Sequence, residues 1–371
     1  MSKQGSFRPA VGRSVRESGP RYNEARAALE KGITAERPTR AFDRTTLKAH
    51  LEAHYGISIT SMAPIDDPDS RPRGSWPGHY PSTLLIKRQD GSPWVARIFS
   101  SPADKISRVE GDAEILRFLA SHDFPAERIA HELVSVLNGS GLIVTKFVEG
   151  GRPTDAHGRV ASPAVLYELG RLLGRLHTLP AAGGAIARAG GSEDGGFYVG
   201  RPKQDLAAAM NFLASVEHAV APEGRERFEW LRDQVENADD AEGLPEALTH
   251  GNYHVWAAVG TPGNLVIVGW AGSGRGPRLP ALAWLLRTAA EVGTDYVDAV
   301  MRGYREHVQL TDEELDRLPG VLNMRPLWLA CFEYRQLVRS GRTPALNEGW
   351  TRWRPDFAER LAEQAMGSLR S

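Results

Sequence analysis

Apolar positions along the chain follow one period in its first half and another in its second. Residues 1 to about 40 are basic, interrupted by Pro and Gly, and weakly patterned apart from a short helical possibility in YNEARAALEKG, so a mobile arm is expected there. TTLKAHLEAHYG then supplies a hydroxyl cap at Thr45 or Thr46, leucines four apart at Leu47 and Leu51, and a terminal Gly56, which together predict a helix. MAPIDDPDSRPRGSWPGHYPS is too rich in Pro, Gly and Asp for a regular element and reads as a loop. In TLLIKRQDGSPWVARIF two apolar-rich runs flank Asp90-Gly91, the turn signal of a β-hairpin. EGDAEILRFLASHDFP reads as a helix ended near Pro125, and ELVSVLNGSGLIVTKFVEG as a second hairpin turning at Asn138-Gly139. The order strand, strand, helix, strand, strand predicts a small α+β lobe.

From Ser162 the period becomes helical. PAVLYELGRLLGRLHTLP places Leu166, Leu169, Leu172, Leu173 and Leu176 on one face. Residues 180–200 are Gly/Ala-rich and read as a flexible insertion, and helices are expected at 203–220, 225–238, 281–292, 294–308, 311–318, 325–339 and 354–368. Only LTHGNYHVWAAV and NLVIVGWAG interrupt this helical half, and no fixed-period repeat is visible. The division expected is an arm over 1–40, a β-rich lobe with one helix and a hinge over 41–150, and a helical lobe over 151–371.

Composition narrows the classes without choosing among enzymes. At 371 residues the chain exceeds the usual single-core size. Apolar residues make up 41% and charged ones 25%, as in ordinary globular proteins, and no run approaches the roughly 18 to 20 apolar residues of a bilayer span. The first residues lack the apolar stretch of a secretory signal, so a cytoplasmic location is expected. Cys331 is the only cysteine, which excludes an intramolecular disulfide framework and a thiolate-rich metal site. With 45 basic and 46 acidic residues the formal net charge is −1, so no global field favours nucleic acid or an anionic membrane. No G-x-S-x-G nucleophile elbow is present.

The stretch from Leu248 to Leu286 carries the specific signal: LTHGNYHVWAAVGTPGNLVIVGWAGSGRGPRLPALAWLL. It resembles the catalytic core of the aminoglycoside phosphotransferase/choline kinase family, where a His-Gly-Asp-x-x-x-x-Asn loop is followed by a short hairpin ending in Asp-Trp or Asp-Phe. ELGRLLGRLHTLP is similar to that family's helix between the lobes, GSPWVARIF to its cation-bearing third strand, and LIVTKFVEG to its hinge. The resemblance spans about residues 45 to 340. It implies an α+β, two-lobed protein-kinase-like fold, with a small antiparallel β-sheet lobe, a larger helical lobe, and a ligand cleft between them that Val144, Phe147 and Trp270 would line. The loop equivalents fall at 250–257 and 269–271.

What the resemblance implies for chemistry is mostly loss. In phosphoryl transfer a loop Asp accepts the substrate proton while an Asn and a second Asp hold magnesium on the phosphates. Here the base position is Asn252, whose neutral amide cannot serve as a carboxylate base. The metal-ligand positions are Ala257 and Gly269, which have no side-chain oxygen. Losing a general base alone costs about 10²- to 10⁴-fold in rate, and losing both metal ligands leaves a triphosphate uncompensated. In the small lobe Arg97 occupies the cation position, with Glu114 or Glu110 from the following helix as expected partners. Gly74, Gly78 and Ser82 fall where a glycine-rich phosphate cover would be, crowded by Trp76, Pro77 and Pro81.

The remaining candidates each have two readings. His250 is a hydrogen-bonded structural peg or a proton-exchanging group, and the same choice holds for His254. Arg275 and Arg278 are solvated loop charges or contacts for an anion or acidic peptide beside the cleft. Trp94, Trp256, Trp270 and Trp284 read as packing residues. The expected function is therefore a pseudokinase that binds a small molecule or peptide, as scaffold or accessory subunit, with no cofactor. The alternatives are an ATP- and Mg2+-dependent small-molecule phosphotransferase with non-standard residues, and a kinase-fold enzyme repurposed for phosphate-free ring closure in natural-product maturation, with His250, Tyr253 and His254 supplying acid/base chemistry.

Overall fold

The computed structural model describes residues 44–65, 82–99, 106–138, 140–155, 160, 162–180, 202–270, 272–343, 345 and 355–370. Helix α1 (Arg44–Tyr55) buries Leu47, Leu51 and Tyr55, the i, i+4, i+8 stripe its sequence encodes, and stops at Gly56 with φ +63°. That stripe lies on a five-stranded antiparallel sheet of order β1-β2-β3-β5-β4, built from β1 (Ile59–Pro64), β2 (Ser82–Arg88), β3 (Trp94–Phe99), β4 (Ser135–Leu137) and β5 (Ser140–Lys146). Both expected hairpins form, the first around Asp90-Gly91 with Ile86 opposite Trp94. The second turns at Asn138, which takes φ +50°. Strand β1 was not legible: ITSMAP lacks alternation and runs into the stretch read as a loop. It is an edge strand, paired only with β2, and an edge tolerates Pro64.

The pleat sorts the sheet's side chains between two environments. Ile86, Trp94, Ala96, Ile98, Leu142 and Val144 form one apolar core with α1. The opposite face carries Val95 beside Thr145 and Arg97 beside Ile143, and turns toward α2 (Ile106–Ser121) and the helical half. This placement puts a cation where the two halves of the molecule meet. It also corrects Val144, which is buried in the core on the far side of the sheet rather than lining the cleft.

The helical half comprises α3 (Pro163–His177), α4 (Pro202–Ala214), α5 (Arg225–Glu236), α6 (Leu279–Ala290), α7 (Thr294–Arg305), α8 (Asp312–Arg339) and α9 (Pro355–Arg370) among the described residues. The helix expected over 203–220 ends at Ala214, with a separate 3-10 turn at Glu217–Ala219. The two expected at 311–318 and 325–339 are one helix. Thr311 and Glu314 close a capping box at its start, and Pro319 and Pro326 lie inside it. Proline disfavours a helix interior, yet Leu318, Val321, Leu322 and Met324 are buried in one core and Leu327, Trp328 and Phe332 in another, so packing on both sides holds the chain helical. Among the described residues no helix is long and apolar enough to cross a membrane.

Helices α3 and α7 approach backbone to backbone. A methyl group on Gly303 would overlap the Tyr167 carbonyl, and one on Gly170 would overlap that of Val300. Two short ribbons, β6 (Glu246–Thr249) with β9 (Gly274–Pro277) and β7 (Ala258–Val259) with β8 (Val266–Ile267), frame the loop over 250–257.

The helix contact predicts an asymmetry among glycines. Gly303→Ala should cost about 1 to 3 kcal/mol in urea unfolding, because backbone atoms must move apart. Gly367→Ala on α9, where an added methyl meets nothing within 4 Å, should instead stabilise by about 0.4 to 1 kcal/mol.

Candidate functional site

One irregular segment joins the small sheet to the loop region. After α2, Phe124 packs edge-on against Trp270, and backbone bonds run from Glu127 N to Ile267 O (2.9 Å) and from Ile267 N to Pro125 O (2.8 Å). One and three residues on, Lys146 N donates to Arg128 O (2.7 Å) and Ala130 N to Val144 O (3.0 Å). The segment is thus hydrogen-bonded to β8 on one side and β5 on the other, and Glu127 stands between.

Its carboxylate accepts three hydrogen bonds. Oε2 accepts from Arg97 (2.7 Å) and from Thr145 Oγ1 (2.9 Å), and Oε1 accepts the Gly269 N–H (2.6 Å). The Glu127 side chain is 3% exposed and that of Arg97 13%. Burial alone would raise the Glu127 pKa, but the Arg97 charge and the hydrogen bonds from Arg97, Gly269 and Thr145 outweigh it and hold the group below its ordinary value. The cation position is therefore as expected and its partner is not: Glu114 and Glu110 face solvent on α2, and Arg97 reaches past that helix to Glu127. A second buried acid, Asp112 on α2, accepts the Gly272 N–H at 3.2 Å. Arg97, Asp112, Glu127, Thr145 and Trp270 thus line a cavity with room for about one water molecule.

Loop 250–257 is held by its own backbone and by two histidines. The Val268 carbonyl, 3.2 Å from His250 Nε2, can only accept, so the proton sits there, and Nδ1 accepts the Asn252 N–H at 3.1 Å. Both nitrogens are committed, and burial pushes the His250 pKa down to about 4. His250 is the structural peg of the loop. His254 accepts the Trp256 N–H (3.2 Å) as cap of the 3-10 turn Val255–Ala257; burial and then the charge of Arg325 hold it well below its ordinary pKa. Tyr253 is buried and donates to Leu169 O at 3.0 Å.

The base position has a partner the sequence did not disclose. Asn252 Oδ1 accepts from Arg325 of α8 at 2.9 Å, and that guanidinium lies 3.6 Å from the Trp284 ring centroid, a cation–π stack. On the other side of the loop Arg152 donates to the Ala258 carbonyl at 3.5 Å. Gly151 O accepts the Gly260 N–H (2.9 Å), which docks the segment before Arg152 onto the β7–β8 turn.

Magnesium does not fit these residues. Ala257 is a buried methyl, and Gly269 has φ +85° with open space where a side chain would stand. Glu127, which accepts the Gly269 N–H, already accepts three hydrogen bonds, and Asp112 accepts the Gly272 N–H. Among the described residues no three His, Cys, Asp or Glu side chains gather as a metal site. Trp270 is buried against His250 and Phe124 and lines the small cavity it shares with Arg97 and Glu127. Other expected cleft residues have partners of their own. Arg278 forms a two-pronged pair with buried Glu314 at 2.8 and 2.7 Å, tying β9 to the start of α8. Arg275 pairs with Glu246 across the β6–β9 ribbon. Phe147 is half-buried, its N–H bonded to Pro93 O. Gly74, Gly78 and Trp76 lie outside the described residues.

Residues that sequence reasoning missed share a cause. Glu127, Asp112, Thr145, Arg152 and Arg325 come from a loop, a helix, a strand, the segment after β5 and a distant helix. No local period marks them. Only the charge of Glu127 and Arg325 amid apolar neighbours, in FPAERI and NMRPLW, hints at a buried partner.

The buried pair predicts a strong asymmetry. Glu127→Ala should lower stability by about 3 to 5 kcal/mol by stranding Arg97. His250 adds an acid limb. Its pKa is about 4 folded against about 6.5 unfolded, so the unfolded chain binds more protons and stability should fall as pH drops from 6.5 toward 4. Urea midpoints across that range should show the slope, and His250→Gln should reduce it, leaving the part due to His254 and His177.

Comparison with known proteins agrees with this architecture. A family model described as "Phosphotransferase enzyme family" matches residues 77–318. Among solved structures, the amicoumacin kinase hAmiN in complex with AMP-PNP, Ca2+ and Ami superposes at TM-score 0.54 with 15% identity, covering 91% of this chain and 95% of that one. A choline/ethanolamine kinase family protein from Mesorhizobium loti gives 0.53 with 15% identity over 88% and 95%. The aminoglycoside phosphotransferase APH(3'')-Id from Streptomyces rimosus gives 0.50 with 19% identity over 77% and 98%. No sequence among curated proteins matches significantly. With the family model covering well over half its length, and with a five-stranded sheet set on a helical half in the protein-kinase-like arrangement of these structures, the chain belongs to the phosphotransferase enzyme family.

Proposed function

We propose that this chain is a pseudokinase: a member of the phosphotransferase family that binds a small molecule or peptide in the cleft between its lobes, as an accessory or scaffold component, without metal-dependent phosphoryl transfer. One observation carries the reading. At the base position stands an amide tied to an arginine, at the two metal positions stand a methyl group and a glycine, and Glu127, the carboxylate bonded to Gly269, already accepts from Arg97, Thr145 and Gly269. Magnesium needs charged oxygens in near-octahedral array, and phosphoryl transfer has little to offer besides that array and positioning. The amicoumacin kinase structure holds AMP-PNP, Ca2+ and Ami, which supports retention of a ligand cleft here. The phosphate-free cyclisation reading draws less support, since of the three residues it needs only His254 has a ring nitrogen outside the contacts described above. His250 has both nitrogens committed, and the buried Tyr253 hydroxyl donates to a backbone carbonyl, burial raising its pKa far above neutral.

Calorimetry with ATP tests the proposal. The unmodified chain should bind ATP no more tightly with magnesium than in EDTA, and should release no γ-phosphate. The variant Asn252→Asp, Ala257→Asn, Gly269→Asp should gain a magnesium-dependent increment. Space at Gly269 admits the side chain, and aspartate tolerates positive φ better than most residues. Tight magnesium-ATP binding by the unmodified chain overturns the proposal.

A further inference from the structure

Helix α1 carries two imidazoles far from the degenerate loop. Its apolar stripe Leu47, Leu51 and Tyr55 turns into the core of the small lobe, which fixes the helix's rotation and leaves His50 and His54, one turn apart, side by side on one flank. His54 is exposed and His50 half-buried. Their rings stack at an interplanar angle of 11° with centroids 5.6 Å apart. Two imidazoles on adjacent corners of one metal ion, with metal–nitrogen bonds of about 2.0 to 2.1 Å, have centroids about 4.5 to 5.3 Å apart, so small side-chain rotations close the gap. Imidazole is also a neutral nitrogen donor near neutral pH and suits borderline metals.

The helix beneath the pair is held in place. Tyr55 Oη donates to Ser135 Oγ at 3.2 Å, and the Glu52 carboxylate accepts the Ile59 N–H at 2.7 Å, so the end of α1 that bears His54 is tied to β4 and to the start of β1. The Tyr55 ring meets that of His54 edge-on at 4.7 Å, and His50 Nε2 is buried without a hydrogen-bond partner, a nitrogen that coordination would satisfy. Restricting donors before an ion arrives lowers the cost of binding it.

We infer that His50 and His54 form a two-point site for a borderline divalent transition-metal ion such as Zn2+ or Ni2+, on the face of the small sheet opposite Arg97. Among the described residues no third His, Cys, Asp or Glu side chain joins them, so water completes the coordination and the affinity is that of a two-donor chelate. Magnesium is rejected by ligand type, since it takes oxygen. The site stands independently of the pseudokinase reading, which concerns the loop on the other side of the sheet.

Calorimetry on the full chain, stripped with EDTA and then exchanged into chelator-free buffer, tests the site with ZnCl2, NiCl2 and MgCl2 added singly. Zn2+ and Ni2+ should bind and Mg2+ should not. His50→Ala and His54→Ala, which keep a good helix former at each position, should each weaken binding about tenfold or more, because chelation makes the second bond intramolecular. Zn2+ should raise the urea midpoint of the unmodified chain but not of the double variant, since the folded helix alone presents both rings together. The site is overturned if neither Zn2+ nor Ni2+ binds, if affinity survives either single substitution with circular dichroism showing the variant folded, or if His218→Ala, exposed in the helical half, lowers it as much.

Discussion

The Arg97–Glu127 pair sits at the junction of the two halves, and much else is arranged around keeping it satisfied. Two opposite charges withdrawn from water are stable only if each finds partners for its remaining hydrogen-bonding capacity. Glu127 obtains them from three places: a strand cation, a strand hydroxyl and a backbone N–H of the loop after β8. Each donor lies on a different element, so the carboxylate fixes the sheet, the segment after α2 and the Gly269 loop relative to one another. Backbone bonds on both sides of Glu127 reinforce that geometry. The sheet's register follows from the same requirement, because a shift by one residue would turn Arg97 into the apolar core formed with α1.

That arrangement explains how the fold persists without the family's catalytic side chains. The loop is shaped by His250 bridging Val268 and Asn252 through both ring nitrogens, by His254 capping a short turn, and by Tyr253 anchored to α3. None of these contacts involves a base or a metal ligand. Chemistry and scaffold are separable here. A fold supplies a place for a site, and the identity of a few side chains decides what the place does. In this chain those positions hold an amide, a methyl group and a glycine, so the scaffold remains while the charged side chains of the family's chemistry are gone.

Legibility from sequence followed the range of the interaction. The stripe of α1 and both hairpins of the sheet could be read from spacing and turn residues, because local periodicity and turn geometry determine them. The short edge strand β1 escaped, since its pairing with β2 is decided between strands and leaves no alternation in ITSMAP. The two prolines in α8 suggested a break that burial on both sides overrides. At the site, the replaced positions were visible as residue identities within motifs. Their partners were not. Glu114 was the sensible partner for Arg97 by analogy and position, yet it faces solvent, and Arg278, which looked like a free loop charge, is enclosed with Glu314.

By itself, then, the sequence determined the order of most elements, the family, and the absence of carboxylates at Asn252, Ala257 and Gly269. These are properties of single residues and of short periods along the chain. Only the tertiary structure decided which partner each charged group meets: Glu127 with Arg97, Arg325 with the Asn252 amide, Arg152 with the carbonyl beside Ala257. Such pairings join residues 30, 73 and 106 positions apart. At those separations the partner is chosen by packing and desolvation in three dimensions, and nothing in local pattern records the choice.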